Sequence, residues 1–182
     1  MKKQQHGFTL LELMVTIAIV GIVATIALWD SSDMLEENRA ENFLLDLKRN
    51  ISFARAQAAS TDEIVIICPV LNTVIDSASN LECKSEWGST NTVILFIDKN
   101  NDGSYDSKND SLLRIMSKTP SNDKIKYSGN DSTLRFNTSG RITTKPGDFI
   151  YCPSSDNVNN KALTVSQSGT AFYVGNTTNT CT

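Results

Sequence analysis

Glu12 is a lone carboxylate near the start of an apolar run that reaches Trp29. A charge at the centre of a bilayer helix costs roughly 2.5 to 3.5 kcal/mol on insertion scales. An acid in such a place is a functional candidate, and it needs a cationic partner. The stretch Gly7-Phe8-Thr9-Leu10-Leu11-Glu12 offers one. A cut between Gly7 and Phe8 would create an ammonium about one helical turn from the Glu12 carboxylate. In low dielectric, that pairing would decide whether the helix leaves lipid and joins other helices.

Two further clusters invite chemistry. Asp98, Asn100, Asp102 and Asp106 place side-chain oxygens at spaced positions around Gly103, as at the start of a calcium loop. The bidentate Glu that would close an EF-hand is missing, and Asn109 stands there. A turn held by hydrogen bonds explains the same pattern, so calcium is the one cofactor to test. Arg135, Arg141 and Lys145 form a basic set that could meet DNA phosphates or simply face solvent. The net charge of −3 at pH 7 speaks against bulk attraction to nucleic acid. Catalysis finds no support. The only histidine, His6, precedes the apolar run, and no zinc spacing or phosphate-cradling glycine loop occurs.

The elements that must position these residues follow from periodicity. Residues 1–7 are short, polar and basic, and residues 8–29, about 22 in number, suffice to cross a hydrocarbon core. Positive flanks stay cytoplasmic, so the N-terminus is expected inside and the bulk of the chain outside. Gly21 is the one weak point of that helix, at about 1 kcal/mol relative to Ala. Over residues 30–60, Ala40, Phe43, Leu44, Leu47, Ile51, Ala54 and Ala58 recur at steps of three and four, which predicts an amphipathic helical half.

Residues 61–182 read as short strands between polar turns, the clearest at 64–67, 92–97, 112–115, 133–136, 148–151, 162–165 and 171–174. One helix followed by many strands predicts an α+β domain with an antiparallel sheet packed on the amphipathic half. Trp87, beside Gly88, reads as a lid on the core or as an interface anchor. Four cysteines, Cys68, Cys83, Cys152 and Cys181, all follow the apolar run. An even count in an exported domain favours two disulfides, and three pairings are open. Local pairing, Cys68–Cys83 and Cys152–Cys181, is the economical choice among them.

The leader stretch through Glu12 resembles the processing signal of type IV pilins and pseudopilins. That resemblance implies cleavage after Gly7 by a prepilin peptidase, N-methylation of Phe8, and an assembly role for Glu12. Gly21 falls where pilins carry a helix-loosening glycine, whereas Trp29 stands where major pilins often have proline. In the head, Cys68, Cys83, Trp87-Gly88, Asn100 to Gly103, Leu134-Arg135-Phe136, Gly140-Arg141 and Phe149-Ile150-Tyr151-Cys152 resemble the GspH/FimT group. Members of that group include minor pilins, DNA-binding minor pilins and minor pseudopilins of type II secretion.

The resemblance therefore implies a minor type IV pilin that primes or caps pilus assembly. It implies major and minor pilins as partners, and a path from inner membrane to pilus. A DNA receptor and a secretion pseudopilin are the alternatives. The Gly-Arg-x-Arg motif associated with DNA contact is replaced here by Gln167-Ser168-Gly169-Thr170, which has no arginine.

Overall fold

The computed structural model describes residues 8–75, 80–88, 90–129, 131–153 and 159–181, with the side chains of residues 27–32 outside that description. The chain forms two compact units, Met1–Leu35 and Glu36–Thr182. Helix α1 (Leu10–Thr61) contributes to both.

Within the first unit, apolar side chains cover every side of the helix. Leu10, Leu13, Ile17, Val20 and Ile26 are all exposed. The hydroxyls of Thr16 and Thr25 donate to the carbonyls of Leu13 and Ile22 at 2.8 and 2.7 Å. Such back-bonding leaves little polar surface for water to compensate, which suits an apolar surrounding. Among the described residues no helix is long and apolar enough to cross a membrane. The described side chains of this run end at residue 26, short of the expected end at residue 29.

In the second unit the helical stripe becomes core. Ala40, Leu44, Leu47, Ile51, Ala54 and Ala58 are fully buried, as their spacing predicts. Truncating a side chain such as Leu47 to Ala would cost about 2 to 5 kcal/mol. The stripe packs against one face of two antiparallel sheets. The first has the order β5-β3-β1-β7, built from β1 (Val65–Leu71), β3 (Asn91–Ile97), β5 (Ser111–Ile115) and β7 (Leu134–Phe136). The second has the order β10-β9-β8-β6, built from β6 (Lys124–Tyr127), β8 (Gly147–Cys152), β9 (Lys161–Val165) and β10 (Ala171–Asn176).

Strands β1 and β3 read as unbroken apolar runs because both of their faces are covered. Val65, Ile67, Leu95 and Ile97 point into the helix-side core, while Ile66, Cys68, Ile94 and Phe96 join a second cluster. Leu81 and Tyr105 of a small ribbon, β2 (Asn80–Leu81) and β4 (Tyr105–Asp106), belong to that second cluster. At the edge of the first sheet, the Arg114 guanidinium lies 3.7 Å from the centre of the Phe53 ring, tying β5 to the helix.

Strand β6 has no counterpart among the expected strands. Its Lys-Ile-Lys-Tyr alternation is exposed, buried, exposed, buried, the pattern of a half-covered edge. Trp87 sits 4.7 Å from Phe149, edge to face, and is 2% exposed, so it is a core lid. Gly88 beside it must be glycine, since a Cβ there would stand 2.8 Å from the Ile125 nitrogen on β6.

Candidate functional site

At the helix start, Thr9 and Glu12 form a reciprocal capping box. The Glu12 N–H donates to Thr9 Oγ1 at 3.3 Å, and the Thr9 N–H donates to Glu12 Oε2 at 3.4 Å. The spacing Thr-x-x-Glu dictates this, because it satisfies two backbone donors that a helix N-terminus otherwise leaves open. The carboxylate is therefore held at the first turn by the Thr9 N–H, and Phe8 just before it is 89% exposed. Gly7 lies outside the described residues. A Cβ at Gly21 would meet nothing within 4 Å, so that glycine answers to no packing need inside the chain.

Of the four candidate calcium ligands, Asn100 Nδ2 donates to Asp102 Oδ2 at 2.7 Å, while Asp98 and Asp106 accept from backbone N–H groups. Among the described residues no group of three or more His, Cys, Asp or Glu side chains could hold a metal ion. Asp98 is buried and its carboxylate accepts from the N–H groups of Asp102 and Gly103 at 3.2 and 3.1 Å. The cation it holds is the Arg135 guanidinium, at 3.4 Å. Asp110, which the spacing argument placed outside the ligand set, closes the loop by accepting from the Lys99 and Asp106 N–H groups. Asp102 accepts from the Ser104 N–H, and Asp106 from the Lys108 N–H. The loop is thus a set of Asx-type caps around an ion pair.

Within the basic trio, Arg135 and Arg141 lie on paired backbone stretches, where the Thr143 N–H donates to the Arg135 carbonyl and the Asn137 N–H to that of Arg141. Arg135 binds Asp98 and donates to Asn101. Arg141 has an exposed side chain, and its backbone N–H is fixed by Asn137. Lys145 is anchored through its backbone, donating to Asp131 and accepting from the Tyr127 hydroxyl. A guanidinium outside the basic trio does reach the 166–170 turn: Arg55, from α1, donates to Thr170 Oγ1 at 2.8 Å. Gly169 in that turn, at φ +77°, packs so tightly that a Cβ would stand 2.6 Å from the Gly140 oxygen.

Both local disulfides are formed, Cys68–Cys83 and Cys152–Cys181, closing sequence separations of 15 and 29. The second holds the C-terminal segment beside β8. On the helix side, Arg39 donates twice to the buried Asp123, and the Tyr151 hydroxyl donates to the same carboxylate at 2.5 Å. Burial, then that carboxylate, pushes the Tyr151 phenol well above its ordinary range, with Arg39 opposing. Lys161, nearly buried, pairs with Glu37 of the helix and with Asn176 across the strand pair. No local motif announces these links, because their partners lie far apart in sequence.

A helix with a capped acid at its apolar start and a twice-stapled antiparallel head behind it give a pilin-like architecture. Residues 45–169 match the family described as Type II transport protein GspH, and residues 2–28 match the prokaryotic N-terminal methylation motif. The chain belongs to this GspH family, which holds pilin-like proteins. Its fold is similar to that of the minor pilin FimU of Pseudomonas aeruginosa, with a TM-score of 0.56 at 19% identity over 77% of this chain and 91% of that one. A second crystal form of FimU gives 0.51 over 73% and 90%. A "Probable minor fimbrial protein" of Dichelobacter nodosus is 39% identical over 44 residues, 24% of this chain and 28% of that protein's length.

Proposed function

We propose that the chain is a minor pilin that primes or caps filament assembly. In this reading residues 1–7 are a leader removed by the prepilin peptidase, and Phe8 becomes the methylated N-terminus. Residues 8–29 sit in the inner membrane and later in the filament core. Residues 30–60 dock the helix on the head, and residues 61–182 form the disulfide-bonded head outside the membrane. The work is assembly, carried by helix packing and by contacts of the head with other pilins.

The observation that carries this reading is the first unit. An apolar helix open on all sides, with Thr16 and Thr25 bonded internally and Glu12 capped by Thr9, is built for lipid or for other helices. Co-purification of the full chain with other minor pilins from sheared filaments tests it, and absence from the filament fraction would sink it. The family description favours a second reading, a minor pseudopilin of a type II secretion machine. Deleting the gene separates the two: loss of surface filaments points to the pilus, loss of exported enzymes to secretion.

A further inference from the structure

Arg39, Asn42, Phe43, Asp46 and Arg49 of α1 form one wall of a groove of about 570 Å³ whose other wall is residues 117–120, with Tyr151 at its base. We infer that this groove docks an extended acidic segment from the head of a neighbouring pilin. The inference rests on the filament-subunit reading and names where and with what chemistry the head meets its partner.

The base of the groove is aromatic and fixed. The Phe43 and Tyr151 rings are 5.3 Å apart, centre to centre. The Tyr151 hydroxyl and the Arg39 guanidinium are both tied to Asp123, so neither must be ordered when a partner arrives. The rim is cationic. Among the described residues Arg49 and Lys118 have no hydrogen-bond or ion-pair partner, and Asp46 is the one carboxylate in the lining.

An aromatic base, arginine and a polar rim are the anatomy of a protein docking site. Charge selects the occupant. The chain carries −3 overall, so an acidic neighbour is repelled everywhere except where unlike patches meet. A contact between two different patches is also the kind that propagates along a filament.

The test uses the full chain in cells that assemble its filaments, with a photoreactive residue at Asn42 and, separately, at Val20 in the apolar helix. The Asn42 site should cross-link to an acidic stretch of another pilin, mapped by mass spectrometry. Arg49→Glu combined with Lys118→Glu should lower that yield about tenfold with both disulfides intact. Cross-linking from Val20 but not from Asn42 would overturn the groove and leave the filament reading standing. An Asn42 adduct with DNA, lipid or a second copy of this chain would also overturn it. Silence at both sites would remove the filament reading together with the groove.

Discussion

Arg39 and Asp123 share two hydrogen bonds of 3.2 Å across 84 residues of sequence, joining helix α1 to the segment that enters β6. The two ends differ in exposure: the Arg39 side chain is 40% exposed and that of Asp123 1%. Asp123 is thus the buried member, and its other partner is the Tyr151 hydroxyl. Asp123→Ala would strand that hydroxyl in the core and release Arg39 to solvent. Losing buried, charge-assisted bonds costs about 1.5 to 3 kcal/mol. The thermal midpoint of the full chain in detergent should fall by several degrees, with both disulfides still formed. Unchanged melting would mean that the link contributes nothing net.

Alkaline pH should reveal the same core. Burial raises the phenols of Tyr127 and Tyr151, and of Tyr173 to a lesser degree of burial, above the ordinary value of 10.0. The folded state then holds these protons more tightly than the unfolded state. Their contribution to stability is complete below pH 10 and is lost as pH rises through the folded values. Phenolate absorbance should therefore show Tyr127 and Tyr151 resisting ionisation until the head unfolds. Smooth titration of all four tyrosines near pH 10 in folded protein would contradict the burial.

The loop of Asp98 gives the next prediction. With the Arg135 guanidinium already on the Asp98 carboxylate, added calcium must displace a cation that the fold supplies. Millimolar calcium is expected to leave the melting temperature unchanged and to give no binding heat. Arg135→Ala should cost about 2 to 3 kcal/mol, since Asp98 would be left buried and unpaired. Strong calcium uptake by the unaltered chain would instead support the metal reading of Asp98, Asn100, Asp102 and Asp106.

Duplex DNA should bind weakly. Arg135 is committed to Asp98, which leaves Arg55 and Arg141 as cations beside the two packed turns. Two phosphate contacts would weaken binding only about tenfold between 50 and 200 mM salt. A gel-shift should vanish by physiological salt, and Arg55→Ala with Arg141→Ala should remove what remains. Tight binding with a steeper salt slope would make DNA the main ligand.

What was legible in the sequence is what repeats locally. The steps of three and four from Ala40 to Ala58 place the core face of α1, and the apolar runs place β1 and β3, because burial leaves its period in the chain. Local pairing of the cysteines matches the observed disulfides. β6 was hidden because Lys124 and Lys126 dilute a two-residue apolar signal, and β2 and β4 are too short to carry any. Arg39 with Asp123, and Arg135 with Asp98, were illegible for another reason. A spacing rule sees ligands on one segment, whereas these cations arrive from distant ones.

The Glu12 carboxylate can serve as a helix cap, as a charge partner for the ammonium that the proposed cut before Phe8 would create, or as both. The capping box separates these roles by mutation. Glutamine at the third helical position can still reach back to the Thr9 N–H, so Glu12→Gln keeps the cap and loses the charge. Thr9→Ala does the reverse, removing the hydroxyl that accepts from the Glu12 N–H, at a cost of about 1 kcal/mol in helix-start stability. If charge pairing drives entry into the filament, Glu12→Gln should fail as badly as Glu12→Ala, while Thr9→Ala should assemble at a moderately reduced level. The measurement is the ratio of this chain in sheared filaments to that left in the membrane fraction, after confirming cleavage at Phe8. Near-normal assembly of Glu12→Gln would show that the acid acts by ordering the first turn, and that its charge is dispensable.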